Sequence, residues 1–231
     1  KYFFIVRILE RVFPWVLNFI YGLNLNIFRA HSYKRYKLRK ILITGGSSGL
    51  GLDLAKLYSI ICEEIIITGR DFKKLERVKK ELSENSNCKI ITKIIDFSSI
   101  KDTLIFSKEI DNIDMIINNA GQYLSKSVEL TTIDDYHQLF NSNFLSPVIL
   151  SECSFLKVGP KKIINILSTT AISGRRNHSA YSSSKSALWA YTKALRRRVG
   201  GNTHILEVIP STFKSNLFRE LENIDSNHGL I

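Results

Sequence analysis

Ile43-Thr44-Gly45-Gly46-Ser47-Ser48-Gly49-Leu50-Gly51 decides how the rest of this chain is read. It follows the apolar run Ile41-Leu42-Ile43 and leads into an amphipathic stretch from Gly51 to Ile61. Glycines at such a place permit a tight turn and let the backbone approach a pyrophosphate closely. The helix opening behind them offers N–H groups and a partial positive charge, both suited to an anion. Strand, glycine turn and helix in succession predict a loop that cradles phosphate.

Outward from that loop the pattern repeats. Apolar, β-rich runs predict strands at Lys40–Thr44, Glu64–Thr68, Lys89–Ile95, Met115–Asn118, Lys162–Leu167 and His204–Ile209. Helical periodicity predicts helices at Gly51–Ile61, Phe72–Glu84, Ile100–Ile110, Ile133–Leu150 and Ser179–Arg198. Ile65-Ile66-Ile67 is apolar at every position, as a strand buried on both faces requires. The expectation is an α/β fold: a Rossmann-type doubly wound parallel sheet in residues 40–231, one domain behind an N-terminal helical extension. Such a sheet holds its ligand beyond the carboxyl ends of the strands, where the strand order switches.

A second constellation lies further along. Tyr181 and Lys185 are four apart and so share a helix face. An ammonium against a phenol favours the phenolate and draws down a pKa that starts near about 10. A phenol tuned this way exchanges a proton with a carbonyl or alcohol oxygen near neutral pH. Read blandly, the pair is two surface residues, Ser168 a strand-end hydroxyl capping its turn, and Asn143 a side chain steadying a helix kink.

Thr44-Gly45-x-x-x-Gly49-x-Gly51, Asn118-Asn119-Ala120-Gly121, Asn143, Ser168 and Tyr181-x-x-x-Lys185 occur in an order and spacing that resembles the classical short-chain dehydrogenases/reductases, over about residues 38–219. The resemblance implies catalytic roles for Ser168, Tyr181, Lys185 and Asn143. Ser168 would bind the substrate oxygen and Tyr181 would serve as acid/base. Lys185 would lower the phenol pKa and hold the nicotinamide ribose, and Asn143 would anchor a water joining the lysine to solvent. The loop residues Gly45, Ser47, Ser48, Gly49, Leu50 and Gly51 would take the dinucleotide. Asp96 and Phe97 would meet the adenine, and Asn119, Ala120 and Gly121 the adenosine and ribose side. Tyr181, Lys185, Pro210, Ser211 and Ser215 complete the implied cofactor contacts. An acid at the end of the second strand would select NAD; here that position is Gly69, followed by Arg70, which favours NADP through its 2′-phosphate. By analogy, Tyr123, Ile172, His178, Leu217 and Phe218 would line the substrate pocket.

The chain departs from the family pattern in two places. Ser211 stands where Pro-Gly is usual, and residues after Pro210 run only to Ile231, so a short substrate lid and no seventh strand are expected. The chain is read either as a compact member or as one cut before its natural end.

The net charge of +12 is concentrated at the front. Residues 1–40 contain nine of the 33 Lys and Arg and, of the 21 acids, Glu10 alone. With the domain only mildly basic and no recognition module legible, nucleic acid is not an expected partner. Val12 to Phe28 carries no charge, yet a helix of that length spans about 25 Å, short of a hydrocarbon core of about 30 Å. Trp15, Val16, Phe19, Ile20, Leu23 and Ile27 form a broad apolar face opposite Asn18, Gly22, Asn26 and Arg29. Residues 1–39 therefore suit an arm lying at a membrane surface, with the basic run His31–Lys40 meeting anionic lipid. An arm packed on protein is the alternative, and a homo-oligomer stays open. Cys62, Cys88 and Cys153 show no ligand spacing and read as structural thiols of a reducing compartment, hence the cytoplasm. The five histidines form no metal pattern, so no metal is expected.

Taken together, these features predict an NADP-dependent oxidoreductase interconverting a ketone or aldehyde with an alcohol, on a lipophilic substrate if the arm is a guide. A non-catalytic NADP(H)-binding sensor or scaffold is the alternative. A sugar-nucleotide epimerase of the extended fold fits the glycine spacing and length less well.

Overall fold

The structure is a computed structural model that describes residues 38–157, 159–199, 201 and 203–210. Residues 1–37, on which the expected N-terminal helical extension falls, and residues 211–231 lie outside the described residues. Among the described residues, β1 (Lys40–Ile43), β2 (Glu64–Gly69), β3 (Lys89–Ile94), β4 (Met115–Asn118), β5 (Lys162–Ile166) and β6 (His204–Val208) form a sheet. Its strand order is β3-β2-β1-β4-β5-β6 and every pairing is parallel. The helices between them are α1 (Gly49–Ser59), α2 (Phe72–Asn85), α3 (Ile100–Glu109), α4 (Ile133–Phe140), α5 (Ser146–Phe155) and α6 (Ser179–Arg198).

The sheet is held from both sides, and strand periodicity sorts the side chains. Ile41, Ile43, Ile65, Ile67, Met115, Ile117, Ile164 and Ile166 share one face with Ala55 and Tyr58 of α1 and Leu75, Val78 and Leu82 of α2. Leu42, Ile66, Ile116 and Ile163 point the other way, to Phe106 of α3, Leu150 of α5 and Leu195 of α6. Alternate residues pack on opposite layers because successive side chains of a strand leave opposite faces. Burial of each such side chain is worth about 1.5–3 kcal/mol. This is the Rossmann-type sheet that the sequence predicts.

The differences are local. The long helix expected at Ile133–Leu150 is broken: α4 ends at Phe140, Asn141–Leu145 forms one π turn, and α5 continues to Phe155. Pro147, two residues after this turn, has no N–H to give a regular helix ladder. The first helix starts at Gly49 rather than Gly51, so the last two glycines of the motif belong to its first turn. Since β1 and β4 are neighbours while their outgoing connections diverge, the strand order reverses beside the glycine loop. A crevice forms there.

Candidate active site

The crevice is a cleft of ≈ 760 Å³ lined by residues following all six strands. The loop after β1 is built for close approach. Gly45 has φ +67°, and a Cβ at Gly51 would stand 2.3 Å from the Gly45 carbonyl oxygen. Ser48 sits at the N-cap of α1 without making a side-chain cap bond, and no acid occupies the first turn. The first-turn N–H groups of α1 are thus left to water or an anion.

Thr44 fastens this loop to the segment after β4. Its hydroxyl oxygen accepts from the N–H groups of Asn119 and Ala120, both at 2.9 Å, and donates to the Ile117 carbonyl at 3.3 Å. The Asn119 amide donates back to the carbonyls of Thr44 (2.9 Å) and Gly45 (3.3 Å). Asn119 borders the cleft as expected, but its amide nitrogen is spent on the loop. Asn118 does not reach the cleft. It donates to Asn165 at 2.8 Å, Asn165 donates to Thr192 at 2.8 Å, and Thr192 to the Leu188 carbonyl at 2.6 Å. This buried chain joins β4 and β5 to α6, the helix carrying Tyr181 and Lys185.

On the β2 and β3 side, a Cβ at Gly69 would lie 2.7 Å from the Ser47 hydroxyl, so a larger residue there would push that side chain aside. Arg70, Lys74 and Arg77 all border the cleft and are exposed. The sequence reading had Arg70 alone; Lys74 and Arg77, three apart on α2, were missed, although their spacing on one helix face is a readable signal. The Asp96 carboxylate borders the cleft and accepts from the Ser98 N–H (2.9 Å) and hydroxyl (2.8 Å). The Phe97 ring belongs instead largely to the core, edge-on to Phe106.

Ser168, Tyr181 and Lys185 come together at the ends of β4 and β5, all three on the cleft wall. Ser168 also caps its turn, accepting from the Thr170 hydroxyl at 3.0 Å, as expected of a strand-end hydroxyl. Asn143 lies in the π turn and is fully buried. Its Oδ1 accepts from the Gln122 N–H (2.8 Å), and its Nδ2 donates to the Gln122 carbonyl (2.9 Å) and the Ser184 hydroxyl (3.0 Å). A Cβ at Gly121 would approach Asn143 Oδ1 to 2.8 Å and Lys185 Nζ to 3.3 Å, so these two side chains converge on that glycine.

The electrostatics correct one expectation. The Tyr181 pKa is raised rather than lowered: burial pushes it up, the Ser168 hydroxyl pulls it back, and Tyr123 adds to the rise. Lys185 is itself pushed down to about 8 by burial and donates to the Ile166 carbonyl at 2.9 Å. In the protein alone, then, desolvation dominates both groups. Of the pocket residues expected by analogy, Tyr123 and His178 line the cleft; Pro210, expected as a cofactor contact, borders it too. Ile172 is exposed outside it. Ser211, Ser215, Leu217 and Phe218 lie outside the described residues.

Comparison with known proteins identifies the family. A family model described as short chain dehydrogenase matches residues 39–225. The NADP-dependent 3-hydroxy acid dehydrogenase of Schizosaccharomyces pombe is 33% identical over 183 residues, 74% of this chain and 70% of that protein. Dehydrogenase/reductase SDR family member 7 of Mus musculus is 29% identical over 69% of this chain; the match spans 50% of that relative's length. Among solved structures, a short-chain dehydrogenase from Sphingobium yanoikuyae in complex with NADPH superposes with a TM-score of 0.73 at 22% identity, covering 79% of this chain and 75% of that one. With the glycine loop, the Ser168–Tyr181–Lys185 cluster and the parallel sheet already in place, this chain belongs to the short-chain dehydrogenase/reductase family of oxidoreductases.

Proposed function

We propose that the protein is an NADP-dependent oxidoreductase that interconverts a ketone or aldehyde with an alcohol, with Tyr181 as the acid/base. One observation carries this reading: Lys185 is a buried lysine whose burial depresses its pKa to about 8, set on the cleft wall beside Tyr181. Burying an ammonium costs stability, so folding gives no reason for it. Catalysis does.

A nicotinamide bound in the cleft would supply the hydride. Ser168 holds the substrate oxygen. In reduction the Tyr181 phenol gives its proton to that oxygen; in oxidation the phenolate takes it back. With a pKa of about 8, Lys185 stays mostly protonated at neutral pH and offers positive charge to a developing phenolate. Asn143 fixes the Gln122 backbone behind Gly121, which keeps the wall facing Lys185 in place.

The preference for NADP is supported by Arg70, Lys74 and Arg77 around a position that holds Gly69 instead of an acid. Guanidinium and ammonium groups suit a 2′-phosphate, and the absent carboxylate removes a partner for the free ribose hydroxyl. The relatives named above as NADP-dependent, or solved with NADPH, are consistent with it. Tyr181→Phe is expected to lower kcat by about 10²- to 10⁴-fold while NADPH affinity, read by fluorescence titration, changes little. Undiminished turnover in that variant removes Tyr181 as the acid/base.

The reading of residues 1–39 as a membrane-surface arm, ahead of a catalytic domain at 40–231, rests on composition alone. Among the described residues no helix is long and apolar enough to cross a membrane. Co-sedimentation of the full chain and of a chain starting at Tyr36 with anionic liposomes tests the arm, and equal pelleting argues against it.

A further inference from the structure

The turn Arg175-Arg176-Asn177-His178 is a part of the cleft that the acid/base chemistry leaves unused. Its first and last residues both line the cleft. The His178 N–H donates to the Arg175 carbonyl at 3.2 Å, closing a four-residue turn. Asn177 takes the left-handed φ of 63°, which asparagine tolerates better than most residues. The turn is pinned to the segment after β4 at two points: the Lys126 N–H donates to the Asn177 carbonyl at 2.7 Å, and the Tyr123 hydroxyl bonds His178 Nε2. His178 Nδ1 faces the Arg176 carbonyl at 2.7 Å. A carbonyl only accepts, so Nδ1 donates to it, and in that tautomer of the neutral ring Nε2 accepts from Tyr123. The Tyr123 ring lies 5.0 Å from that of Tyr181, which sets the pinned turn beside the proton donor.

Charge is unbalanced at this end of the cleft. Arg175 is exposed, and among the described residues no carboxylate pairs with it. The acids that border the cleft, Asp71 and Asp96, belong to its β2 and β3 side; they accept from the Lys74 N–H and from Ser98. The rest of the wall near Tyr181 includes Gln122, Thr169 and Thr170. A wholly apolar substrate would desolvate these groups and the guanidinium without replacing their water.

We propose that this turn is the anion subsite of the substrate: the reacting carbonyl compound carries a carboxylate or phosphate a few bonds away, held by the Arg175 guanidinium. The proposal rests on Tyr181 acting as the acid/base. Both anions match the planar donor fork of arginine, so the test separates them.

Turnover with NADPH is compared for acetoacetate against its methyl ester, and for dihydroxyacetone phosphate against dihydroxyacetone, using the full chain and Arg175→Gln. A charged hydrogen bond predicts that one anionic compound is favoured by about 10- to 100-fold in kcat/KM. Arg175→Gln should erase that preference, chiefly through KM, and leave the neutral partner unchanged. The pair that responds identifies the anion. Measurable and equal turnover within both pairs, or equal loss for anion and neutral compound on substitution, overturns the proposal. A second readout needs no turnover. Acetoacetate or dihydroxyacetone phosphate, added with NADP+ so that both partners are oxidised and inert, should raise the Tm of the native protein but not of Arg175→Gln. No rise with either compound also overturns it. A rise without turnover of any of the four compounds upholds the anion subsite and counts against the Tyr181 reading.

Discussion

Replacing Lys185 with methionine should make the protein inactive and, over a defined pH range, change how its stability responds to pH. Lys185 is 5% exposed and its pKa falls from 10.5 to about 8 through burial. At about 1.36 kcal/mol per pH unit, that displacement corresponds to a folding penalty of about 3 kcal/mol. The sign follows from proton counting. Between about pH 8 and about pH 10.5 the unfolded chain holds the Lys185 proton and the folded chain has released it, so stability rises with pH across this window. Below about pH 8 the penalty is present in full. Methionine keeps the length of the side chain and removes the titration. The difference in unfolding free energy between native protein and Lys185→Met, from urea denaturation followed by circular dichroism, should therefore move in favour of the native protein by about 2 kcal/mol between about pH 7 and about pH 10. The Ile166 carbonyl loses its 2.9 Å donor in the variant, but that cost is common to all pH values and cancels. A difference that does not vary with pH would refute the claim that the fold desolvates this ammonium, and with it the main argument for Tyr181 chemistry.

Thr44→Val should lower stability by about 2–4 kcal/mol in urea denaturation, because two N–H groups lose an acceptor at 2.9 Å in a site where Thr44 is 2% exposed. Thr44→Ser keeps the hydroxyl and should recover most of that loss; a deficit in Thr44→Ser as large as that in Thr44→Val would refute the hydrogen-bond account. Arg70→Ser combined with Lys74→Ser should weaken NADPH binding by about 10-fold or more while leaving NADH nearly unchanged, as measured by fluorescence titration. Parallel loss for both nucleotides would show that these cations act on the shared pyrophosphate instead.

Much of the fold was legible because it depends on local pattern. Ile41-Leu42-Ile43 and Ile65-Ile66-Ile67 announce strands covered on both sides, and the structure places their alternate residues in two separate cores. The glycine spacing marked the loop, since few other residues accept φ +67° at Gly45 or the 2.3 Å approach at Gly51. The break in the helix expected at Ile133–Leu150 was legible only through Pro147, which was passed over; its form, a π turn at Asn141–Leu145 where Asn143 reaches the Gln122 backbone, depends on a partner distant in sequence. Lys74 and Arg77 were overlooked because charges on an exposed helix face look solvated until the cleft is seen beneath them.

The sequence by itself marked residues that gather at the cleft: the glycine loop, the Ser168, Tyr181 and Lys185 set, and Gly69 where an acid could stand. Spacing along the chain suffices for these because turn geometry and helix periodicity are local properties. Tertiary structure decided how those groups are solvated and what holds them. It raised the Tyr181 pKa through burial, turned Asn119 toward the loop carbonyls, ran Asn118 and Asn165 back to α6, and set Arg175 and His178 on the cleft wall. Desolvation and long-range hydrogen bonding depend on which elements pack together, and no window of sequence contains that information.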